Sequence, residues 1–365
     1  MIKKIFTLLG LILTVLIVNA AEEDEDLRLL GGERMKIIGW LQPQFRVFEH
    51  SVDANDGNFV ENSFAFNRIR VGVTGSLSHN FSYFLMTDLS SFKGGPTVVK
   101  AIISWDGLGH WARITTGKFK HPFSIELNTS TRYLHTIYRS KVVDELTTPS
   151  VDYGLMISGG SSNLPILGFN NSDIIKYSLA IINGTGKNVY DSDVYKDLVC
   201  KLNFSPASFL SFGGSYRNGK RNLMADQQSL TGKSIRYGAD ISIHYKNLIF
   251  QSEYIGAVDE YLDLSQGIMD YNFLINTRKS KGYFVQTLYL IHAHLQPVLK
   301  YEFFSRNYTE NRTEDQAVTL GFNYFFNDQA KVQMNYIHHL TNHQLNILNE
   351  DEITDALLIQ FQYIF

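Results

Sequence analysis

The chain of 365 residues holds a single cysteine, Cys200, and only 7 prolines. One cysteine excludes an internal disulfide and any cysteine-based metal cluster. No stretch beyond the first twenty residues approaches 18 apolar residues without polar interruption, which excludes helical membrane spans in the remainder of the chain. Also missing is an excess of positive charge: with Lys3 and Lys4 set aside, 31 basic and 36 acidic side chains remain. A nucleic-acid partner would demand a basic face or stripe, so none is expected. Five of the acids are Glu22, Glu23, Asp24, Glu25 and Asp26, and without them the rest is neutral. No metal or cofactor is called for by any spacing. His338, His339 and His343 flank one strand end without a carboxylate at matching distance. Gly184-Thr185-Gly186-Lys187 lacks the spacing of a phosphate-binding loop.

What is present begins with a leader. Met1-Ile2-Lys3-Lys4 is a short basic segment, Ile5–Val18 is apolar, and Val18-Asn19-Ala20 fits a signal-peptidase site. Residues 1–20 read as a signal peptide and 21–34 as an acidic periplasmic segment. Residues 35–365 read as a single domain.

The rest of the chain has a period of two. In Ile235–Lys246 the residues Ile235, Tyr237, Ala239, Ile241, Ile243 and Tyr245 share one face, with Arg236, Asp240, Ser242, His244 and Lys246 opposite. A strand separates such sets, whereas a helix scatters both. The C-terminus repeats this, with Leu357, Ile359, Phe361, Tyr363 and Phe365 against Gln360 and Gln362. Sixteen such segments follow one another, and fourteen or eighteen also fit the pattern. Their connections alternate between short turns and longer loops, 160–173 being the long exception among the turns. The abundant Phe and Tyr (25 and 20 residues) supply outward faces. These features predict an all-β protein: a 16-stranded antiparallel transmembrane β-barrel in the cell outer membrane, in contact with lipid and lipopolysaccharide, with both termini on the periplasmic side. Lipid offers no partners for an exposed sheet edge, so the first strand must pair with the last.

The third long connection, 119–151, is too long to be idle. Folded inward as a long third external loop, it would narrow the lumen. It carries Lys120, His121, Arg132, His135, Arg139 and Lys141, with Lys118 at its entrance. Alternation adds Arg68, Arg70 and Arg113 from the wall. The residues expected to meet solute are therefore Arg68, Arg70, Arg113, Lys118, Lys120, Arg132, Arg139 and Lys141. Guanidinium and ammonium groups in a narrow aqueous lumen attract anions and repel cations. Lys118 and Lys120, two apart, are expected to share the face toward the conduction path, with Phe119 pointing away. Arg68 and Arg70 could instead pair with Asp88 within the wall. Asp259, Glu260, Asp263 and Asp270 read as an acidic external loop.

Several segments resemble the phosphate-selective porin family of the O and P type. They are Phe66–Gly75, Phe81–Asp88, Thr116-Gly117-Lys118-Phe119-Lys120-His121-Pro122-Phe123-Ser124 and Asp152-Tyr153-Gly154-Leu155-Met156. Phe361, Tyr363 and the terminal Phe365 resemble the signal by which barrels are recognised for insertion. The resemblance implies a sixteen-stranded, anion-preferring porin, usually a homotrimer, with the third loop in the pore and phosphate or another small anion as solute. This chain has sparser arginines and lysines than phosphate-binding members, which implies weak phosphate block. The residues also leave open a general or cation-preferring porin, an outer-membrane hydrolase barrel, and a structural or adhesin barrel.

Overall fold

Alternating side chains sort themselves into a wall with two chemically different faces. The computed structural model describes residues 27–29, 33–51, 59–78, 80–90, 95–161, 174–186, 191, 194–225, 228–262, 275–310, 314–340 and 352–365. A three-residue strand β1 (Leu27–Leu29) pairs with the start of β2 (Glu33–Ser51). Then come β3 (Phe59–Ser78), β4 (Phe81–Asp88), β5 (Thr97–Trp105) and β6 (Arg113–Lys120). Two short helices follow, α1 (Ile125–Asn128) and α2 (Lys141–Leu146). The chain continues through β7 (Val151–Gly160), β8 (Ile175–Ile182), β9 (Asp197–Ala207), β10 (Leu210–Ala225) and β11 (Gln228–Tyr245). It ends with β12 (Leu248–Leu262), β13 (Ile275–Tyr289), β14 (Leu295–Ser305), β15 (Glu314–Phe325), β16 (Ala330–His339) and β17 (Glu352–Ile364).

Strands β2 to β17 pair antiparallel with their sequence neighbours, and β17 pairs with β2, closing a sixteen-stranded barrel. The seam is tied at its end by Gly39 and Phe365, whose backbone groups exchange hydrogen bonds of 2.9 and 3.0 Å. Closure gives every strand two neighbours, which is what hydrocarbon requires of a spanning sheet. No described helix is long and apolar enough to cross a membrane; strands do the crossing.

The outward face carries Tyr237, Tyr254, Tyr283, Phe322, Phe361 and Tyr363, all exposed on the isolated barrel. At the short-turn end, Phe209 stacks edge-on against Tyr245 and Tyr324 against Phe326. Aromatic rings gather at such interfaces because one part of the ring is apolar and another polarisable or hydrogen-bonding. Lys246, His292 and Ala293 adopt left-handed φ of 51°, 51° and 62° in the short turns, which fits tight hairpin reversals.

Two readings of the sequence are corrected. The alternation of short turns with longer loops breaks between β10 and β11: β10 runs to Ala225 and β11 starts at Gln228, in unbroken register from Leu210↔Ile243 to Ala225↔Gln228. Above the bilayer no lipid marks one face as apolar, so the alternation that signals a strand fades although pairing continues. Asp259 and Glu260 belong to β12 rather than to a loop. There Asp259 accepts from Arg236, while Glu260 accepts from the backbone of Lys233. The segment 1–20 read as a signal peptide, the run Glu22–Asp26, Lys187, Asp263, Asp270 and His343 lie outside the described residues. His338 and His339, adjacent on one strand, take different partners, Asp355 and Asp315.

Candidate functional site: an inward loop and a cationic cluster

Residues 121–150 turn into the lumen, and two different chemistries hold them there. On one side is an apolar cluster. Phe119 and the loop residues Phe123, Leu127, Val142, Val143 and Leu146 pack on Ala180, Ile182, Val199, Ile255, Ala257, Phe284 and Phe304 of the wall. Burying a side chain of this size stabilises by about 1.5–3 kcal/mol, so the inward face of β8, β9 and β12–β14 has given up polarity to hold the loop. On the other side is an amide network. Gln362 donates to the Arg132 carbonyl at 3.2 Å, Asn323 to the His135 carbonyl at 3.1 Å, and Asn335 accepts from the Ile137 N–H at 2.8 Å. Gln44 bonds the Tyr138 hydroxyl at 2.9 Å. Loop backbone buried away from water needs such partners.

Two buried carboxylates fix the helices. Glu253 of β12 accepts from Ser124 Oγ at 2.8 Å and from the backbone N–H of Ile125 and Glu126 at 3.1 and 3.4 Å. Ser124, at φ 70°, itself caps α1 by accepting from Leu127 N–H. Glu126 accepts from Ser140 N–H at 2.8 Å and faces Lys300 at 3.7 Å. Burial pushes the Glu126 carboxyl above its usual range, and Lys300 opposes that shift.

Facing the loop, β2–β6 present an electrostatically lopsided patch. Arg68 donates to Gln42 at 3.0 Å and is almost wholly buried. Arg70 bonds Asp88 at 3.0 Å and Thr131 at 3.1 Å, so the wall salt bridge and the contact with the loop coexist. Lys120 and Arg139 both donate to the carbonyls of Leu127 and Thr129 at the end of α1. Arg132 stands over the Trp40 and Tyr133 rings at 5.6 and 4.7 Å, and Arg70 over Trp40 at 5.6 Å. The Nε atoms of Arg132 and Trp40 (its Nε1) are buried without an acceptor. Lys100 joins them on β5, its ammonium 4.5 Å from the Phe84 ring centroid. Within this group of Arg68, Arg70, Lys100, Lys120, Arg132 and Arg139, the carboxylate seen in contact is Asp88. Like charges held this close repel unless something negative visits them.

The remaining expected residues fall elsewhere. Lys118 is fully buried, with its Nζ 5.4 Å from the centroid of the Tyr153 ring. Phe119, expected to point away from the lumen, instead reaches the inner apolar cluster, while Lys118 lies against Tyr153 and Lys120 reaches the loop carbonyls. Gly117, at φ 115°, sits just before them in a register with β7 that runs unbroken from Arg113 to Lys120. Arg113 lies at the turn end of β6, bonding Ser82 at 2.9 Å and facing Asp106 at 3.7 Å. Lys141 pairs with Glu145 and Asp315 at 3.6 and 3.9 Å, away from the cluster. Phe361 and Tyr363 point outward and Phe365 closes the seam.

Alternation alone could have found Lys100, which lies in period with Ile102 and Ser104. It could also have found a second file of charge on the far wall. There Arg217 and Arg221 clasp Asp197 at 2.7 and 2.8 Å, Arg236 bonds Asp259 at 2.7 Å, and Lys201 bonds Asp240 at 2.7 Å. These cations have acids of their own; among the described residues, most of those facing the loop do not.

The loop's seating should depend on acid. His121 is wholly buried, its Nε2 3.0 Å from the Thr147 carbonyl, and burial lowers its pKa to about 3. Burial lowers His135 to about 4. Released into water, each would titrate near 6.5. The released form therefore binds the proton first, so seating is unaffected above pH 6.5 and weakens as pH falls toward 3, by about 3 kcal/mol for His121 near pH 4.5. Single-channel conductance should be steady from pH 7 to 8 and become unsteady in acid. His121→Asn, with no proton to gain, should move the onset to lower pH; an unchanged onset would show that His121 does not control seating.

Comparisons with known proteins follow the same lines. The sequence profile of the family described as phosphate-selective porin O and P matches residues 41–255 and 213–365. No curated protein matches the chain by sequence. Among solved structures, the barrel is similar to the anion-selective porin from Comamonas acidovorans, with a TM-score of 0.63 at 8% identity over 91% of this chain and 100% of that one. It is similar to the outer membrane channel DcaP of Acinetobacter baumannii, with a TM-score of 0.62 at 10% identity over 94% and 100%. It is similar as well to the trimer form of in-vitro-folded OmpT of Vibrio cholerae, with a TM-score of 0.60 at 11% identity over 91% and 99%. At these identities the structural likeness speaks for the fold.

Proposed function

Since the chain belongs to the phosphate-selective porin O and P family, and so is a porin of the outer membrane, we propose that small hydrophilic solutes diffuse through it passively and that it prefers anions. The observation that carries the preference is the imbalance of charge where the loop faces the wall: six basic side chains gather there, with Asp88 the one carboxylate in contact among the described residues. On β9–β12 of the far wall, by contrast, Arg217, Arg221 and Arg236 are paired with Asp197 and Asp259. In a narrow lumen screening by salt is poorer than at an open surface, so uncompensated charge decides which ion enters.

Phosphate falls within the class of anions admitted, in line with the family's description, and a homotrimer in contact with lipid and lipopolysaccharide is the assembly we infer, by likeness to the trimer form of OmpT. The test is the reversal potential of the purified channel in a potassium chloride gradient. Its sign should report chloride entering more readily than potassium. A potassium preference would leave a general or cation-preferring porin.

A further inference from the structure

Above the seated loop, where α2 ends against β11–β14, lies a cavity of about 260 Å³. Its residues sit near the long-loop ends of their strands, so a solute arriving from outside meets it before the cationic cluster. Three arginines line it, Arg236, Arg278 and Arg306, and they are not equivalent. Arg236 is committed: its Nε donates to the Leu146 carbonyl at 3.0 Å and its Nη1 to Asp259 at 2.7 Å. Asp259 is also engaged, accepting from Ser234 Oγ at 2.9 Å as well. That leaves Arg278 only a 4.0 Å approach to the same carboxylate, with 45% of its side chain exposed. The Arg306 guanidinium makes no ion pair among the described residues, although its backbone carbonyl is held by Ser280 Oγ. Glu145, the other acid of the lining, faces Lys141 at 3.6 Å. The cavity thus offers two guanidinium forks, Arg278 and Arg306, with little else to bind.

The remaining lining is Ser280, whose hydroxyl is taken by the Arg306 carbonyl, and two apolar residues. Leu146 and Phe304, each 4% exposed, belong to the cluster that seats the loop and present their edges to the cavity. A fully hydrated inorganic ion gains nothing from such a surface. An organic anion does, because its charged end can take a forked arginine contact while its body covers the apolar edge.

We propose that this cavity is a vestibule binding site for a small organic carboxylate with an apolar body, gripped by Arg278 and Arg306 and resting on Leu146 and Phe304. The proposal builds on the porin reading for the solute's route and adds the class of solute that is held on the way in.

Benzoate is a suitable probe, added to the loop side of the whole channel in planar lipid, with inorganic phosphate and acetate as comparators. Benzoate should reduce the current saturably and at lower concentration than acetate or phosphate. The double variant Arg278→Gln/Arg306→Gln should raise the half-blocking concentration about tenfold, as loss of a forked charged contact implies. Arg278→Lys/Arg306→Lys, which keeps the charge and loses the fork, should recover only part of it. Should the double variant fail to give a heat-shifted barrel on gels, Arg306→Gln alone, at an exposed position, carries the test with a smaller shift in the same direction. Absence of benzoate block, equal block by phosphate, or block unchanged in the variants would each overturn the site. Block is read as the fraction of current lost whichever ion carries it. A potassium-preferring channel would therefore overturn the anion preference while leaving this site to stand or fall by its own result.

Discussion

Replacing Lys100 and Lys120 together by Gln should lower the chloride-to-potassium permeability ratio roughly five- to tenfold, the largest effect expected of any pair of lysines in the chain. A unit charge about 8 Å from a passing ion is worth about 2 kcal/mol at an effective dielectric near 20, and a tenfold ratio needs only about 1.4 kcal/mol. Screening by salt and compensation by the four arginines left in place reduce the sum, hence the range given. Both lysines are half-buried, and neither touches a carboxylate among the described residues; Lys120 holds two loop carbonyls and Lys100 lies over an aromatic ring. Two controls bound the result. Lys220→Gln, at an exposed ammonium beside Tyr195, should leave the ratio unchanged. Lys118→Gln should leave it within a factor of about two while lowering the temperature at which the barrel's gel mobility shifts, since a fully buried side chain contributes through packing. If Lys118→Gln moved selectivity as far as Lys100→Gln/Lys120→Gln, the cluster facing the loop would not be the filter.

That Phe119 turns inward illustrates what the sequence could and could not reveal. The sixteen strands were legible because lipid on one side and water on the other enforce alternation residue by residue, as in Tyr237–Tyr245 and Leu357–Phe365. Legibility ended where one of those two solvents was missing. Above the membrane, Asn218–Ala225 stays paired without an apolar face. Inside the barrel, Ile255, Ala257, Phe284 and Phe304 are apolar yet inward because they meet the loop rather than water. The basic character of the loop could be read directly, and Arg68, Arg70, Lys120, Arg132 and Arg139 do come together. The partners that silence other cations could not, since Asp197 lies 20 residues from Arg217 and Asp259 lies 23 from Arg236. Those pairings follow from barrel register, which no local pattern specifies.

Register also created the contact on which loop position most depends. Removing the Glu253 carboxylate should unseat residues 121–150 at their α1 end. In Glu253→Ala, Ser124 Oγ and the N–H groups of Ile125 and Glu126 lose their acceptor inside a region closed to bulk water. A buried donor left unpaired costs about 1–3 kcal/mol, and the three together, being neighbours and not additive, about 3 kcal/mol or more. The apolar cluster of Phe123, Leu127, Val142 and Val143 survives the change, so the barrel should still form and shift its gel mobility on heating. The loop equilibrium would nonetheless move by roughly a hundredfold toward released states, because each 1.4 kcal/mol is a factor of ten. Single-channel recordings should then show larger and noisier conductance together with a chloride-to-potassium ratio closer to one, as Arg132 and Arg139 leave the wall cations. Glu253→Gln keeps an oxygen for Ser124 and the α1 N–H groups, and should restore conductance and selectivity most of the way. Wild-type conductance in Glu253→Ala would mean that the apolar cluster and the amides of β15–β17 hold the loop without help. A loss of selectivity equal in Ala and Gln would instead assign the effect to the lost negative charge rather than to the loop's seating.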